Sequence, residues 1–250
     1  METEYFNSWQ IETTVRSSQC DSMSMLRPKA ILEIMQDAAE EHSKHMGVDG
    51  PTITAKDGVF WVLSRTKFVV HRKMRQGEPL IVKTWPMLPN EIRCHRCFTF
   101  KDAQGNITVE GLGEWVLIDA GTRTLRKFST VGYPMEMPHL TDLATNGKFI
   151  RLRNDFTPEE FIETRKIRSS YIDWPHHNNN TNYATLVLDT FSVKELESMN
   201  IQSMEITFLH ETVENENISI YRRKTDTGYI FCIRRESGEC ATMISISNHA

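Results

Sequence analysis

The chain has 250 residues, 39% of them hydrophobic and 25% charged, with a formal net charge of −4 and a sequence pI near 6.2. That composition suits a globular chain with a substantial core, gives no electrostatic basis for binding nucleic acid, and holds no apolar run approaching the roughly 20 residues of a membrane span. Five cysteines, an odd number, point to reduced thiols rather than a disulfide frame, and residues 1–7 lack the basic-then-apolar order of a secretion signal, so the expected location is cytoplasmic.

Residues 9–16 are β-branched and partly alternating, and predict a strand. After a Ser-rich connection, Pro28 suits the first turn of a helix. Ile31, Met35, Ala38 and His42, with Leu32, Ile34 and Ala39 beside them, form one apolar stripe, and Gly47 is placed to end the helix. Residues 59–71 are strongly β-prone. Further strands are predicted over 80–85, 92–101 and 107–119, the last two joined by the hairpin loop 102–106.

Residues 120–165 carry Gly and Pro with weak periodicity and read as a connector, with a short helix expected over 158–164. The pattern then repeats. A strand is expected over 166–173, a helix from near Asn180 to about Ser198, and strands over 202–213, 217–224, 228–236 and 239–246. The predicted class is α+β, with two helix-on-antiparallel-sheet units. The expected boundaries are 1–125, a connector over 126–165, and 166–250.

The stretch 171–183, Tyr-Ile-Asp-Trp-Pro-His-His-Asn-Asn-Asn-Thr-Asn-Tyr, concentrates side-chain chemistry at a strand-to-helix junction. Asn is a favoured N-cap, and the first amides of a helix lack partners and favour negative charge. On spacing alone, a solvated capping turn that happens to contain His is the simpler reading. The pattern Asp173-x-x-x-His177-x-Asn179-Asn180-x-x-Tyr183 also resembles the active-site motif of the acyl-acyl carrier protein thioesterases, D-x-N-x-H-x-N-N-x-x-Y. It departs from that motif at Pro175, where the family has Asn. A second point of resemblance is 204–212, Met-Glu-Ile-Thr-Phe-Leu-His-Glu-Thr. The family strand carries a catalytic Glu there, followed by Cys in many plant members; this chain has Glu211 and Thr212.

The resemblance implies a tandem double hotdog, with the acyl chain held by the first unit and the chemistry by the second. It implies hydrolysis of fatty acyl-carrier thioesters to free acid, with acyl carrier protein as partner and no cofactor. Asp173, His177 and Glu211 would be catalytic: Glu211, with His177, would deprotonate the attacking water, and Asp173 would hold the loop and the imidazole. Asn179, Asn180 and the amides starting the following helix would support the loop or receive the oxyanion. Thr212 in place of Cys argues against a cysteine nucleophile. Pro175 supplies neither a side-chain partner nor an N–H, so His176 or Asn178 would have to substitute for the family Asn, or the enzyme would be slower. Ile31, Met35, Phe60 and Trp61 are candidates for the acyl pocket and equally good core residues. The rival readings are a hotdog 3-hydroxyacyl-thioester dehydratase and a non-catalytic acyl-thioester binder.

Other signals are weaker. Cys94, Cys97, Cys232 and Cys240 would have to converge to bind zinc, and a three-residue step on a strand points Cys94 and Cys97 oppositely, so no metal is expected. Basic clusters at Arg65, Lys67, Arg72, Lys73 and Arg75, and at Arg222, Arg223 and Lys224, are candidates for docking an acidic carrier. The duplication can replace the hotdog dimer, although association of two chains is compatible with it.

Overall fold

The computed structural model describes residues 7–174 and 176–248. The chain divides into two units, one of residues 7–26 and 30–148 and one of residues 149–248 with 27–29. Each is an antiparallel sheet with helical cover.

In the first unit, β1 (Trp9–Thr14) is followed by α1 (Pro28–His45) and α2 (Gly50–Asp57). Strands β2 (Val59–Val70), β3 (Pro79–Pro86), β4 (Cys94–Lys101), β5 (Ile107–Asp119) and the two-residue β6 (Leu125–Arg126) complete it. The main strands lie in the order β1-β3-β4-β5-β2, all antiparallel, with β6 on β5. α1 begins at Pro28, and every residue of the expected stripe is buried. Gly47 adopts φ +68, a left-handed value that Gly takes without steric cost. The helix lies over β4 and β5: Arg96 Nη1 donates to His42 Nδ1 at 2.9 Å, and a Cβ at Gly111 would sit 2.8 Å from Met35 Cε.

α2 was not expected. Its signals are local: the Asp49 side chain accepts from Thr52 N at 3.4 Å, Pro51 stands in the first turn, and Gly58 closes the helix at φ +64.

In the second unit the elements are β7 (Phe161–Lys166), α3 (Asn182–Leu188), α4 (Val193–Ser198), β8 (Ser203–Phe208), β9 (Asn217–Lys224), β10 (Gly228–Arg234) and β11 (Cys240–Ser247). Their order is β7-β9-β10-β11-β8, again antiparallel throughout. Counted from each unit's own first strand, both sheets read first-third-fourth-fifth-second. This shared order is stronger support for an internal repeat than the similarity of element lengths. Ile206, Ile218, Ile220, Phe231, Ile233 and Ile244 supply a fully buried face, and Tyr183 of α3 meets Phe208 of β8 with ring centroids 5.6 Å apart.

Four expectations are corrected here. The helix expected over 158–164 is one 3-10 turn, Pro158–Glu160, capped reciprocally by Thr157 and Glu160. Phe161–Lys166 then leaves it as β7, drawn into pairing with β9, so the expected strand at 166–173 lies earlier in the chain. The helix expected from Asn180 to Ser198 is two helices. It breaks after Leu188, and a new capping box at Ser192 and Glu195 starts α4. The strand expected over 202–213 ends at Phe208, because Leu209 N and His210 N both turn to the single carbonyl of Ala241, at 2.8 and 3.1 Å.

Candidate active site

The loop entering α3 is built mostly from its own side chains. Ser169–Tyr171 makes one 3-10 turn, and Ile172 then bridges to Asn178. That bridge closes a small loop with Asp173 N donating to His177 O and His176 N to Asp173 O, both at 3.0 Å. His176 sits at φ +65, an uncommon conformation for a non-glycine residue. Pro175 lies outside the described residues.

Asn179 staples the loop. Its Nδ2 donates to Asp173 Oδ2 at 3.1 Å, and its Oδ1 accepts from the amide and hydroxyl of Thr181 at 2.9 and 2.7 Å. Asn180 is half-buried in the turn before α3. Asn182 Nδ2 donates to Tyr171 O at 3.0 Å and to Asn178 Oδ1 at 3.2 Å.

The loop meets the segment leaving β8 through one backbone bond, Asn178 N to Thr212 O at 2.9 Å. Beside that bond, His177 Nε2 lies 3.0 Å from Glu211 Oε2. The two side chains are 30% and 41% exposed, so the pair is fixed and still reachable by water and substrate. A neutral ring with its proton on Nε2 donates to the carboxylate there and keeps Nδ1 as an acceptor.

Burial pushes the Asp173 carboxyl up from its ordinary range, against the pull of the Asn179 hydrogen bond and the His177 backbone amide. Its Oδ1 is buried without a hydrogen-bond partner among the described residues.

Asp173, His177 and Glu211 thus gather around one loop contact, with two changes from expectation. The carboxylate on the imidazole is that of Glu211, whereas Asp173 is tied to Asn179. Two of the amides at the start of the helix, expected to receive an oxyanion, are already used, Thr181 N by Asn179 Oδ1 and Asn182 N by Asn179 O at 3.0 Å. Sequence reasoning gave no role to Asn182 and did not foresee the burial of Asn178 and Thr212; the alternation that marks buried strand positions is lost once β8 has ended.

In the first unit, Ile31 and Met35 are buried on α1. Trp61 Nε1 donates to Val48 O at 2.7 Å, and its ring packs on Phe128 and Tyr133. The half-buried Phe60 ring lies under the Arg123 guanidinium, 5.0 Å from its centroid.

Cys94 and Cys97 are both buried, with different neighbours: Cys94 Sγ lies 3.8 Å from the Tyr133 hydroxyl and Cys97 Sγ accepts from Ala144 N at 3.5 Å, and burial pushes both thiols up to about 11. Cys232 Sγ approaches Cys240 Sγ at 3.2 Å on neighbouring strands of the second unit. Among the described residues no group of three or more His, Cys, Asp or Glu is arranged to hold a metal, and no helix is long and apolar enough to cross a membrane. Three of the candidate docking arginines are engaged in structure. Arg72 pairs with Glu78 and Asp102, Arg223 with Asp155 and Glu160, and Arg222 stacks on Phe191.

Comparison with known proteins agrees with this layout. The acyl-ACP thioesterase N-terminal domain family matches residues 6–130, and the acyl-ACP thioesterase C-terminal domain family matches residues 154–249. The oleoyl-acyl carrier protein thioesterase 1 of Arabidopsis thaliana is 23% identical over 229 residues, covering 86% of this chain and 63% of the relative. A palmitoyl-acyl carrier protein thioesterase of Gossypium hirsutum is 22% identical over 208 residues, covering 79% and 50%. The chain therefore spans half to under two thirds of the length of these relatives. In fold, it is similar to an acyl-ACP thioesterase from Bacteroides thetaiotaomicron, with TM-score 0.87, 18% identity and 99% of both chains covered. It is also similar to the 12:0-ACP thioesterase of Umbellularia californica, with TM-score 0.85, 19% identity and 96% of both chains covered. The repeated helix-on-sheet unit is the hotdog, present here in tandem, and with both family domains matched in order the chain belongs to the acyl-ACP thioesterase family.

Proposed function

We propose that this chain hydrolyses fatty acyl thioesters carried on acyl carrier protein, releasing free fatty acid and the carrier thiol and so ending chain extension. The observation that carries the reading is the 3.0 Å contact between His177 Nε2 and Glu211 Oε2, at a site that solvent can enter. The names of the relatives, which refer to oleoyl- and palmitoyl-acyl carrier protein, support the same substrate class.

In this mechanism, water binds beside the pair and attacks the thioester carbonyl as Glu211 removes its proton. His177 orients the carboxylate through Nε2 and shares the proton as the tetrahedral intermediate forms. Collapse expels a thiolate, a leaving group that needs little protonation. Asp173 acts on the loop through Asn179, keeping His177 in register. The second unit holds this chemistry and the first holds the acyl chain, with Ile31, Met35, Phe60 and Trp61 as candidate lining. The place of action is the cytoplasm, and two chains can associate as a homodimer, which light scattering tests.

The test of the reaction is thiol and free-acid release from carrier substrates of graded chain length. Glu211→Ala and His177→Ala are each expected to lower kcat about 10²- to 10⁴-fold. Wild-type protein that yields an enoyl thioester, or leaves every acyl-carrier substrate unchanged, would overturn the reading.

A further inference from the structure

The catalytic pair is half-exposed, but the residue after each member is buried. Asn178, which follows His177, is 4% exposed, and Thr212, which follows Glu211, is 0% exposed. Both are held by adjacent residues of α3. Asn182 Nδ2 donates to Asn178 Oδ1 at 3.2 Å, and the Tyr183 hydroxyl lies 2.9 Å from Thr212 Oγ1. Asn182 and Tyr183 are themselves 8% and 2% exposed. The circuit is closed by the backbone bond from Asn178 N to Thr212 O at 2.9 Å. One helical turn thus grips the two segments whose neighbouring residues must meet.

We propose that the Tyr183–Thr212 hydrogen bond is a positioning device, which sets the Glu211 carboxylate against His177 for the reaction. The assignment rests on the proposed hydrolysis for its kinetic readout. The Thr212 side chain is turned inward to the helix, away from any nucleophilic task. A buried tyrosine–threonine pair satisfies two hydroxyls wherever it occurs. Here the backbone of Thr212 continues directly into Glu211, so loosening the anchor moves the carboxylate, and a misplacement of about 1 Å at a reacting group costs on the order of 10²-fold in rate. α3 is a rigid element, better suited than a loop to hold that distance.

The experiment compares wild type with Tyr183→Phe, the near-isosteric Thr212→Val, the double variant, and Thr212→Ser, which keeps the hydroxyl. Steady-state hydrolysis of acyl carrier substrate is measured alongside the long-range 1H–15N signals of the His177 ring, assigned with His177→Gln. Tyr183→Phe and Thr212→Val are each expected to lower kcat about 10- to 100-fold with KM within about twofold. The double variant should be no slower than the worse single, because the Tyr183–Thr212 bond is lost in both. Thr212→Ser should stay within about threefold of wild type, and the His177 ring signals should move in the two slow variants and stay in Thr212→Ser. Wild-type kcat and unmoved ring signals in both Tyr183→Phe and Thr212→Val would overturn the proposal, as would a loss confined to thermal stability. If wild type hydrolyses nothing, the proposed reaction fails, and the ring signals still decide the positioning role.

Discussion

At the scale of single residues, the site separates two jobs that one sequence motif runs together. His177 and Glu211 face solvent and touch each other, whereas Asp173 is half-buried and bonded to Asn179. Asp173 therefore carries a stability cost with a definite sign. Its folded-state carboxyl holds its proton to higher pH than in the unfolded chain. Between the unfolded and folded values the native state binds more protons, so the Asp173 contribution is favourable on the acid side and is lost as pH rises through the folded value. Asp173→Asn is expected to remove that falling limb, read as a flatter dependence of the unfolding midpoint on pH from about 4 upward, while lowering kcat. An unchanged pH slope would refute the burial argument. That Asp173, His177 and Glu211 meet around one loop was legible only through a family motif, since a capping turn containing His is ordinary. Nothing in Leu-His-Glu-Thr-Val indicated that Glu211 would face out and Thr212 in, because no regular alternation governs a segment whose amides have left the ladder.

At the scale of elements, legibility followed local physics. The stripe of α1 could be read because a 3.6-residue period exposes one face. β5 was read to its ends, Ile107 and Asp119, because a long β-prone run leaves few alternatives. α2 and the break before α4 carried capping signals at Asp49 and Ser192 that were present in the sequence and overlooked. β7 is different: the Pro-Glu-Glu just before it is a good helix start, and pairing of Phe161–Lys166 with β9 overrode it. The hairpin β10–β11 gives the element-scale test. Gly228 pairs with Ser247, and a Cβ there would lie 2.0 Å from the carbonyl oxygen of Ile246, a backbone atom that cannot swing away. Gly228→Ala is expected to destabilise the chain by about 3 kcal/mol, measured by denaturant unfolding; a loss below about 0.5 kcal/mol would show that the hairpin opens freely.

At the scale of the whole molecule, two of the charges that looked available for a partner also serve the fold. Arg72 and Arg223 are each held by two carboxylates, so charge reversal there is expected to reach folding before docking. Glu114 of β5 links three strands of the first unit, meeting His95 of β4 and Ser64 and Arg65 of β2, with Arg93 alongside. The His95 hydrogen bond, with that of Ser64 and the two arginines, draws its carboxyl down to about 2. Because the folded value is depressed, this stabilisation is present above the ordinary Glu value, near 4.5, and is lost as pH falls toward 2. Glu114→Gln is expected to lower stability at neutral pH by on the order of 2 kcal/mol and to leave a shallower acid limb, read by circular dichroism during acid titration. Equal acid limbs in the two proteins would exclude Glu114 as a source of the acid dependence.

The amino-acid order alone determined the long helix of the first unit, most of the strands in both halves and the kinds of reactive side chain available. Those properties arise from backbone sterics, hydrophobic period and chemical identity, all of which act over a few neighbours. Only the tertiary structure decided that each half is the same five-stranded permutation, that Glu211 rather than Asp173 meets the imidazole, and that Thr212 turns inward to Tyr183. Those outcomes depend on hydrogen bonds between segments distant in the chain, above all the bond from Asn178 to Thr212, and no local pattern encodes which distant carbonyl an amide will find.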